Sequence, residues 1–270
     1  MRDFEGKVAF VTGGASGIGL AIARAFGRAR MRVMLADIET RALNEAVAEL
    51  KSAGVDARGV ECDVAERSSV QHAANETISA FGKVHLVCNN AGVGCGGPIE
   101  RITPGDWDWV IGVNMTGIMH GIQTFLPLVK AHGEGGHFVT TASMAGMVAG
   151  PGVGAYTASK YGAVALTETL AAELAGSSIG VSLLCTGYVR TRIASSARNR
   201  PEHYGDKTDK SGAAEAPMAA LVRSGIEPDV VAEKIMRAIE ANDLYVFTSP
   251  EFRPFVEQRF KAILDAFPNP

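Results

Sequence analysis

Cysteine, histidine and net charge are all scarce in this chain, and each scarcity removes a class of function. Cys62, Cys88, Cys95 and Cys185 are scattered without Cys-x-x-Cys spacing. That pattern argues against a disulfide framework or a zinc site and for buried thiols in a reducing compartment. Six histidines are equally dispersed, which gives a metal centre little support. A formal net charge of -3 supplies no electrostatic case for nucleic acid or an anionic membrane. No apolar run is long enough to span a bilayer, and Met1-Arg-Asp-Phe-Glu-Gly-Lys7 lacks the pattern of a signal peptide. A cytoplasmic protein without nucleic-acid or membrane partners is the expectation.

What the chain does have is a strand–helix alternation. Its 270 residues, 47% hydrophobic, are enough for one sizeable core. Val8 to Val11 is a continuous apolar run, as a parallel strand covered on both faces requires. Gly13, Gly17 and Gly19 follow, and Ile18, Ile22, Ala25 and Phe26 then recur at helical spacing. A strand, a glycine-rich turn and a helix N-terminus together suit a pyrophosphate, because free N–H groups and the helix dipole face the turn. A glycine triplet alone fits a ligand-free turn equally well.

Further strands are expected at Arg32–Asp37, at Ala57–Cys62 and at Val84–Cys88, the second of these the weakest. Gly136–Thr141, Val181–Cys185 and a short Leu244–Phe247 complete the series. Helices are expected between them. One carries Leu43, Ala46, Val47 and Leu50; another, capped by Ser68, carries Val70, Ala74, Ile78 and Phe81. A long helix over Pro104–His132 is interrupted by glycines and Pro127, and others span Ala155–Ala175 and Pro228–Asn242. Such alternation predicts a parallel sheet with right-handed crossovers. The non-periodic stretch 191–225 reads as a lid or binding loop, or else as disordered. The tail from Pro250 to Phe267 is amphipathic, and is expected to pack on the domain or on a partner subunit.

Two side-chain patterns test the glycine turn. Asp37 ends the second strand, where a dinucleotide fold places the acid that binds the adenosine ribose. Its carboxylate would repel a 2′-phosphate, and neither Gly14 nor Ser16 offers a basic side chain to offset this, so NAD is favoured over NADP. Tyr156 and Lys160 stand four residues apart and share one helix face. A nearby ammonium favours the phenolate and would lower the tyrosine pKa toward neutrality. Ser143, after the fifth strand, is placed to hydrogen-bond a substrate oxygen beside that phenol.

In combination these residues resemble the classical short-chain dehydrogenase/reductase family over nearly the whole chain. The matching motifs are Thr12-Gly-Gly-Ala-Ser-Gly-Ile-Gly19, Asp63-Val64, Asn89-Asn-Ala-Gly92, Val113-Asn114, Ser143 and Tyr156-x-x-x-Lys160, in the family's order and spacing. The resemblance implies a single doubly wound Rossmann domain over residues 1–270, with a parallel sheet in the order 3-2-1-4-5-6-7, helices on both faces, and 191–225 as its substrate lid. It implies Tyr156 as general acid/base and Ser143 as the group that orients the carbonyl. Lys160 would tune Tyr156 and hold the nicotinamide ribose, and Asn114 would hold a water leading from Lys160 to solvent. NAD would be bound by Gly13, Ser16, Gly17, Ile18, Gly19, Asp37, Asp63, Val64, Asn90, Ala91, Gly92, Tyr156, Lys160, Gly187, Val189 and Thr191. The usual Pro-Gly after the sixth strand is Thr186-Gly187 here, which loosens that turn.

Gly94–Ile102, Ile193–Gly205 and the ending Leu244–Phe247 look similar to members that oxidise benzylic alcohols of aryl ethers. Met144, Ala145, Met147, Val148, Val153 and Tyr188 would form an apolar pocket for an alcohol or ketone, with His203, Tyr204 and the lid arginines near a polar tail. A non-catalytic NAD(H)-binding regulator on the same fold is the alternative. A sugar-nucleotide epimerase or dehydratase would need a larger C-terminal domain. The resemblance also implies a homodimer or homotetramer, for which Ile118, Phe125, Val164 and Leu170 are candidate faces, unless they serve the core.

Overall fold

Every residue of Val8–Thr12 (β1) is buried, and this strand is the centre from which the sheet grows in both directions. The computed structural model describes residues 1, 3–208 and 215–268. β1 lies between Arg32–Asp37 (β2) and Leu86–Asn89 (β4), with Ala57–Glu61 (β3) beyond β2. Gly136–Thr141 (β5), Ile179–Cys185 (β6) and Tyr245–Phe247 (β7) continue from β4. All neighbours pair in parallel, so the order is β3-β2-β1-β4-β5-β6-β7, as expected. β3 buries Ala57 and Val60 and exposes Arg58, Gly59 and Glu61, in keeping with its edge position.

Two cores follow, one on each face. Helices Gly17–Arg28 (α1), Thr40–Ser52 (α2) and Pro228–Ala241 (α8) cover one, where Ile22, Leu43 and Ile235 meet Val11 and Leu35. Helices Arg67–Phe81 (α3), Gly117–Ala131 (α5) and Gly154–Glu173 (α6) cover the other. There Phe10 packs on Phe125 with ring centroids 4.3 Å apart. Ile118, Phe125, Val164 and Leu170 all belong to this second core, so they serve the chain's own interior rather than a partner.

Several boundaries differ from expectation for local reasons. α3 starts at Arg67 with Glu66 as its cap residue; Ser68 lies inside it, and the neighbouring Ser69 Oγ accepts from the Asp63 N–H at 3.0 Å. β4 begins at Leu86 rather than Val84, because the Val8 N–H donates to the His85 ring Nδ1 at 3.1 Å. The long helix is divided into Pro104–Ile111 (α4), a π-helical turn Gly112–Thr116 and α5. Thr103 caps α4 by accepting from the Asp106 N–H. Pro127 sits within α5 without ending it.

The stretch 191–225 carries short helical turns Ile193–Asn199 and Glu202–Tyr204, and a helix Glu215–Arg223 (α7). Its residues 209–214 lie outside the described residues. The tail forms Arg253–Asp265 (α9), which buries none of its residues fully and leaves Phe255, Phe260, Ile263 and Leu264 exposed. Only the flank near Phe252 and Val256 packs against the core.

Among the described residues no helix is long and apolar enough to cross a membrane. At the end of the sheet where the strands begin, His85, His132 and Glu134 come within reach of one another. Both imidazoles are engaged with backbone there: His85 Nδ1 accepts from Val8, and His132 Nε2 lies 2.9 Å from the Val84 carbonyl. Lys7 and Lys83 already neutralise Glu134.

Candidate active site

A doubly wound parallel sheet leaves its crevice at the strands' C-terminal ends, where the order reverses. β1 and β4 make that reversal here, and a cavity of about 760 Å³ opens over them. Gly13 and Gly17 turn the chain out of β1 with φ of +63° and +53°. A Cβ on Gly17 would meet the Thr191 side chain at 3.0 Å. A Cβ on Gly19 would lie 2.2 Å from the Gly13 carbonyl oxygen, so no larger residue fits where α1 closes on the turn. Ser16 caps α1 without a side-chain bond, which leaves the first-turn N–H groups facing the cavity.

Thr12 and Asn90 bind this turn to the sheet. Thr12 Oγ1 accepts from the Asn90 and Ala91 N–H groups at 2.9 and 3.0 Å. The Asn90 side chain donates to the Thr12 carbonyl and accepts from Thr141 Oγ1, joining the ends of β1, β4 and β5. Asp37 is buried, which raises its carboxyl pKa, while the Glu39 and Ala15 N–H groups, each 3.0 Å away, pull it down. Asp63 and Val64 line the same wall.

Tyr156 and Lys160 rise from α6 toward the inner end. Lys160 is 2% exposed, and its ammonium lies 5.6 Å from the Tyr156 ring centroid and donates to the Thr141 carbonyl at 2.9 Å. Burial lowers its pKa to about 8. Burial also raises the Tyr156 phenol, against a lowering hydrogen bond with Ser143. The net direction for the Tyr156 phenol is upward, with burial the larger influence and the Ser143 hydrogen bond the smaller. Ser143 Oγ also accepts from the Ala145 N–H at 3.1 Å and points toward the Thr186 carbonyl, 3.4 Å away.

Thr186 leaves the turn after β6 intact. Its carbonyl accepts from the Met144 N–H at 2.8 Å, and the Gly187 N–H donates to Ser249 Oγ. Gly187, Val189 and Thr191 all face the cavity.

Two expected residues stand behind the wall rather than on it. Gly19 acts through close packing. Asn114 lies in the π-helical turn, with its side chain taken up by the Val93 backbone at 2.8 and 2.9 Å and by Ser159 Oγ at 3.1 Å. Both amide hydrogens are thus engaged, while Oδ1 accepts from the Val93 N–H. In the apolar part Met144, Ala145, Val148, Val153 and Tyr188 line the cavity, whereas Met147 faces the core. His203 and Tyr204 also lie off the wall, their rings 4.2 Å apart. Sequence reasoning passed over Glu39, Asn199, Phe252 and Phe255, which do line it. No motif or spacing marks them: Glu39 lies two residues beyond Asp37 with its side-chain partners far along the chain, Asn199 lies within the lid stretch, and Phe252 and Phe255 come from the C-terminal tail.

The sequence matches the short chain dehydrogenase family over residues 7–202. The C alpha-dehydrogenase of Sphingobium sp. (strain NBRC 103272 / SYK-6) is 39% identical, covering 98% of this chain and 88% of that protein. The chain belongs to the short-chain dehydrogenases. A crystal structure of a short chain dehydrogenase/reductase from Burkholderia phymatum in complex with NAD is 40% identical to it. That structure matches with a TM-score of 0.96, covering 100% of this chain and 99% of the other. The apo form of LigD from Sphingobium sp. strain SYK-6 matches at 0.84 with 35% identity, over 99% of this chain and 100% of that one. As a short-chain dehydrogenase the protein is an oxidoreductase acting on CH–OH donors, and a small molecule is its substrate.

Proposed function

We propose that this dehydrogenase interconverts a secondary alcohol and a ketone with NAD, using Tyr156 as general acid/base. The observation that carries the reading is the convergence of Ser143, Tyr156 and Lys160 on the cavity that the glycine turn and Asp37 also line. The cavity suits a dinucleotide. The uncapped first turn of α1 would take the pyrophosphate, with Gly13, Ser16, Gly17 and Ile18 around it. Asp37 would take the adenosine ribose, Asp63 and Val64 the adenine, and Asn90, Ala91 and Gly92 the floor. Gly187, Val189 and Thr191 would hold the carboxamide end. When bound, the dinucleotide supplies the hydride acceptor or donor.

The protein's own part is proton transfer and orientation. Ser143 orients the substrate oxygen by hydrogen bonding, and Tyr156 removes its proton in oxidation or returns it in reduction. Lys160, charged at neutral pH, stabilises the phenolate once formed and holds ribose hydroxyls. Asn114 positions the loop at Val93 through its side chain and would hold a water leading from Lys160 to solvent. Asp37, with no basic side chain at Gly14 or Ser16, favours NAD over NADP.

The apolar wall, with Tyr188, Phe252 and Phe255 at its mouth, favours an apolar or aryl alcohol, in line with the similarity to C alpha-dehydrogenase. Residues 191–225 act as the lid over this pocket within the one domain. Four buried cysteine side chains without paired spacing suit a cytoplasmic setting, and the exposed rings of β7 and α9 suit a homodimer or homotetramer. Incubation of the protein with NAD and a panel of secondary and benzylic alcohols is the test. NADH formation on at least one member is expected, and NAD binding without turnover on any would favour the idle regulator instead.

A further inference from the structure

Glu39 follows β2 and stands at the start of α2, beside Asp37 at the adenosine end of the cleft. Its carboxylate reaches across to the segment after β6. Arg198 Nε donates to Glu39 Oε2 at 3.2 Å and its Nη2 to Oε1, Asn199 Nδ2 donates to Oε1 at 2.9 Å, and Arg192 Nη2 lies 3.5 Å from Oε2. Arg198 is held from behind as well, with Nη1 donating to the Arg192 and Ser195 carbonyls. Glu39, Arg192, Arg198 and Asn199 all line the cavity that Asp37 lines. Two cations and two carboxylates thus meet there in charge balance.

That balance bears on cofactor choice. Both Asp37 oxygens are already accepting backbone N–H groups, one each from Ala15 and Glu39, so its carboxylate is fixed inside the turn and does not reach the arginines. Guanidinium groups are the side chains best suited to a phosphate, through charge and paired N–H donors. Two of them meet Glu39, two residues beyond Asp37, in the cavity that Asp37 also lines. We propose that Glu39 is a cofactor-specificity residue, which occupies Arg192 and Arg198 and so denies them to the 2′-phosphate of NADP. The proposal rests on the cavity being the dinucleotide cleft, and it adds to Asp37 a second, independent source of preference for NAD.

The test is calorimetric titration of NAD and of NADP into the wild type, Glu39→Gln, Arg198→Met and the double variant. Glutamine keeps the shape and removes the charge, and Glu39 makes no side-chain cap to α2, so the fold is preserved. Releasing the guanidinium groups to a phosphate should tighten NADP binding by about tenfold, as expected of charge-assisted hydrogen bonds. NAD affinity should change less than about threefold, within the weak range of an exposed ion pair. The gain should shrink as salt is raised, and should disappear in the double variant.

An NADP/NAD affinity ratio unmoved by Glu39→Gln overturns the proposal while leaving the cleft a dinucleotide site. Equal weakening of both ligands also overturns it, since that marks Glu39 as a simple tie between the two walls. A gain that survives Arg198→Met removes the arginine from the account and overturns it too. A wild-type protein that binds neither dinucleotide would overturn the proposal together with the function it rests on.

Discussion

At the residue scale, Lys160 carries the clearest electrostatic cost. Burial holds its pKa at about 8 against an ordinary 10.5. Between those values the unfolded chain binds a proton that the folded chain does not, so stability rises with pH across that window. Below pH 8 the folded protein bears the full cost of a buried ammonium. A Lys160→Met variant should therefore melt higher than the wild type at pH 7, by a margin that narrows as pH rises from 8 toward 10.5. Thermal melts at several pH values measure it, and parallel curves would contradict it. The same variant should lose turnover, because the phenolate of Tyr156 would have no cation beside it. Since burial raises Tyr156, alcohol oxidation should accelerate with rising pH as more of the phenol ionises, until loss of the Lys160 charge opposes it. The spacing of Tyr156 and Lys160 is local and could be read from sequence. The sign of the phenol's shift could not, because it depends on how much protein is packed around it.

At the element scale, the glycine turn is the part of the site most legible in the chain. Strand, turn and helix are contiguous, and the positive φ of Gly13 and Gly17 and the close approach of Gly19 to Gly13 are set by backbone geometry within a dozen residues. Gly19→Ala is the sharpest probe, because the added methyl would lie 2.2 Å from a backbone oxygen with nothing flexible to yield. A displacement of α1 is expected, costing about 1–3 kcal/mol of stability. Dinucleotide affinity should fall by at least about tenfold, since 1.4 kcal/mol corresponds to that factor; melts and titration report the two effects separately. The π-helical turn at Gly112–Thr116 was not legible, because glycines in a helical pattern signal weakness without specifying which hydrogen bonds shift. Glu39 was hidden for a different reason. Its partners lie 159 and 160 residues away in sequence, beyond any local pattern.

At the scale of the whole molecule, sheet order follows from the alternation of strands and helices, each buried strand demanding cover on both faces. The C-terminal end is where that logic stops. The edge strand β7 leaves Tyr245 and Phe247 exposed, and helix α9 leaves Phe260, Ile263 and Leu264 exposed, more large apolar side chains than these two elements need for the chain's own core. Sedimentation should give a dimer or tetramer, and a Phe260→Glu/Leu264→Glu variant should shift the distribution toward monomer; a wild type that sediments as a monomer would remove the oligomer from the account.

The central claim, that Tyr156 performs proton transfer for a dinucleotide-dependent oxidation, is tested most directly by Tyr156→Phe on whichever alcohol the wild type turns over. Turnover should fall at least about a hundredfold, the scale of general acid/base catalysis, while the NAD dissociation constant stays within about tenfold, since one exchanged hydrogen bond is worth only about 0.5–1.5 kcal/mol. Retention of turnover near the wild-type rate would contradict the assignment of Tyr156.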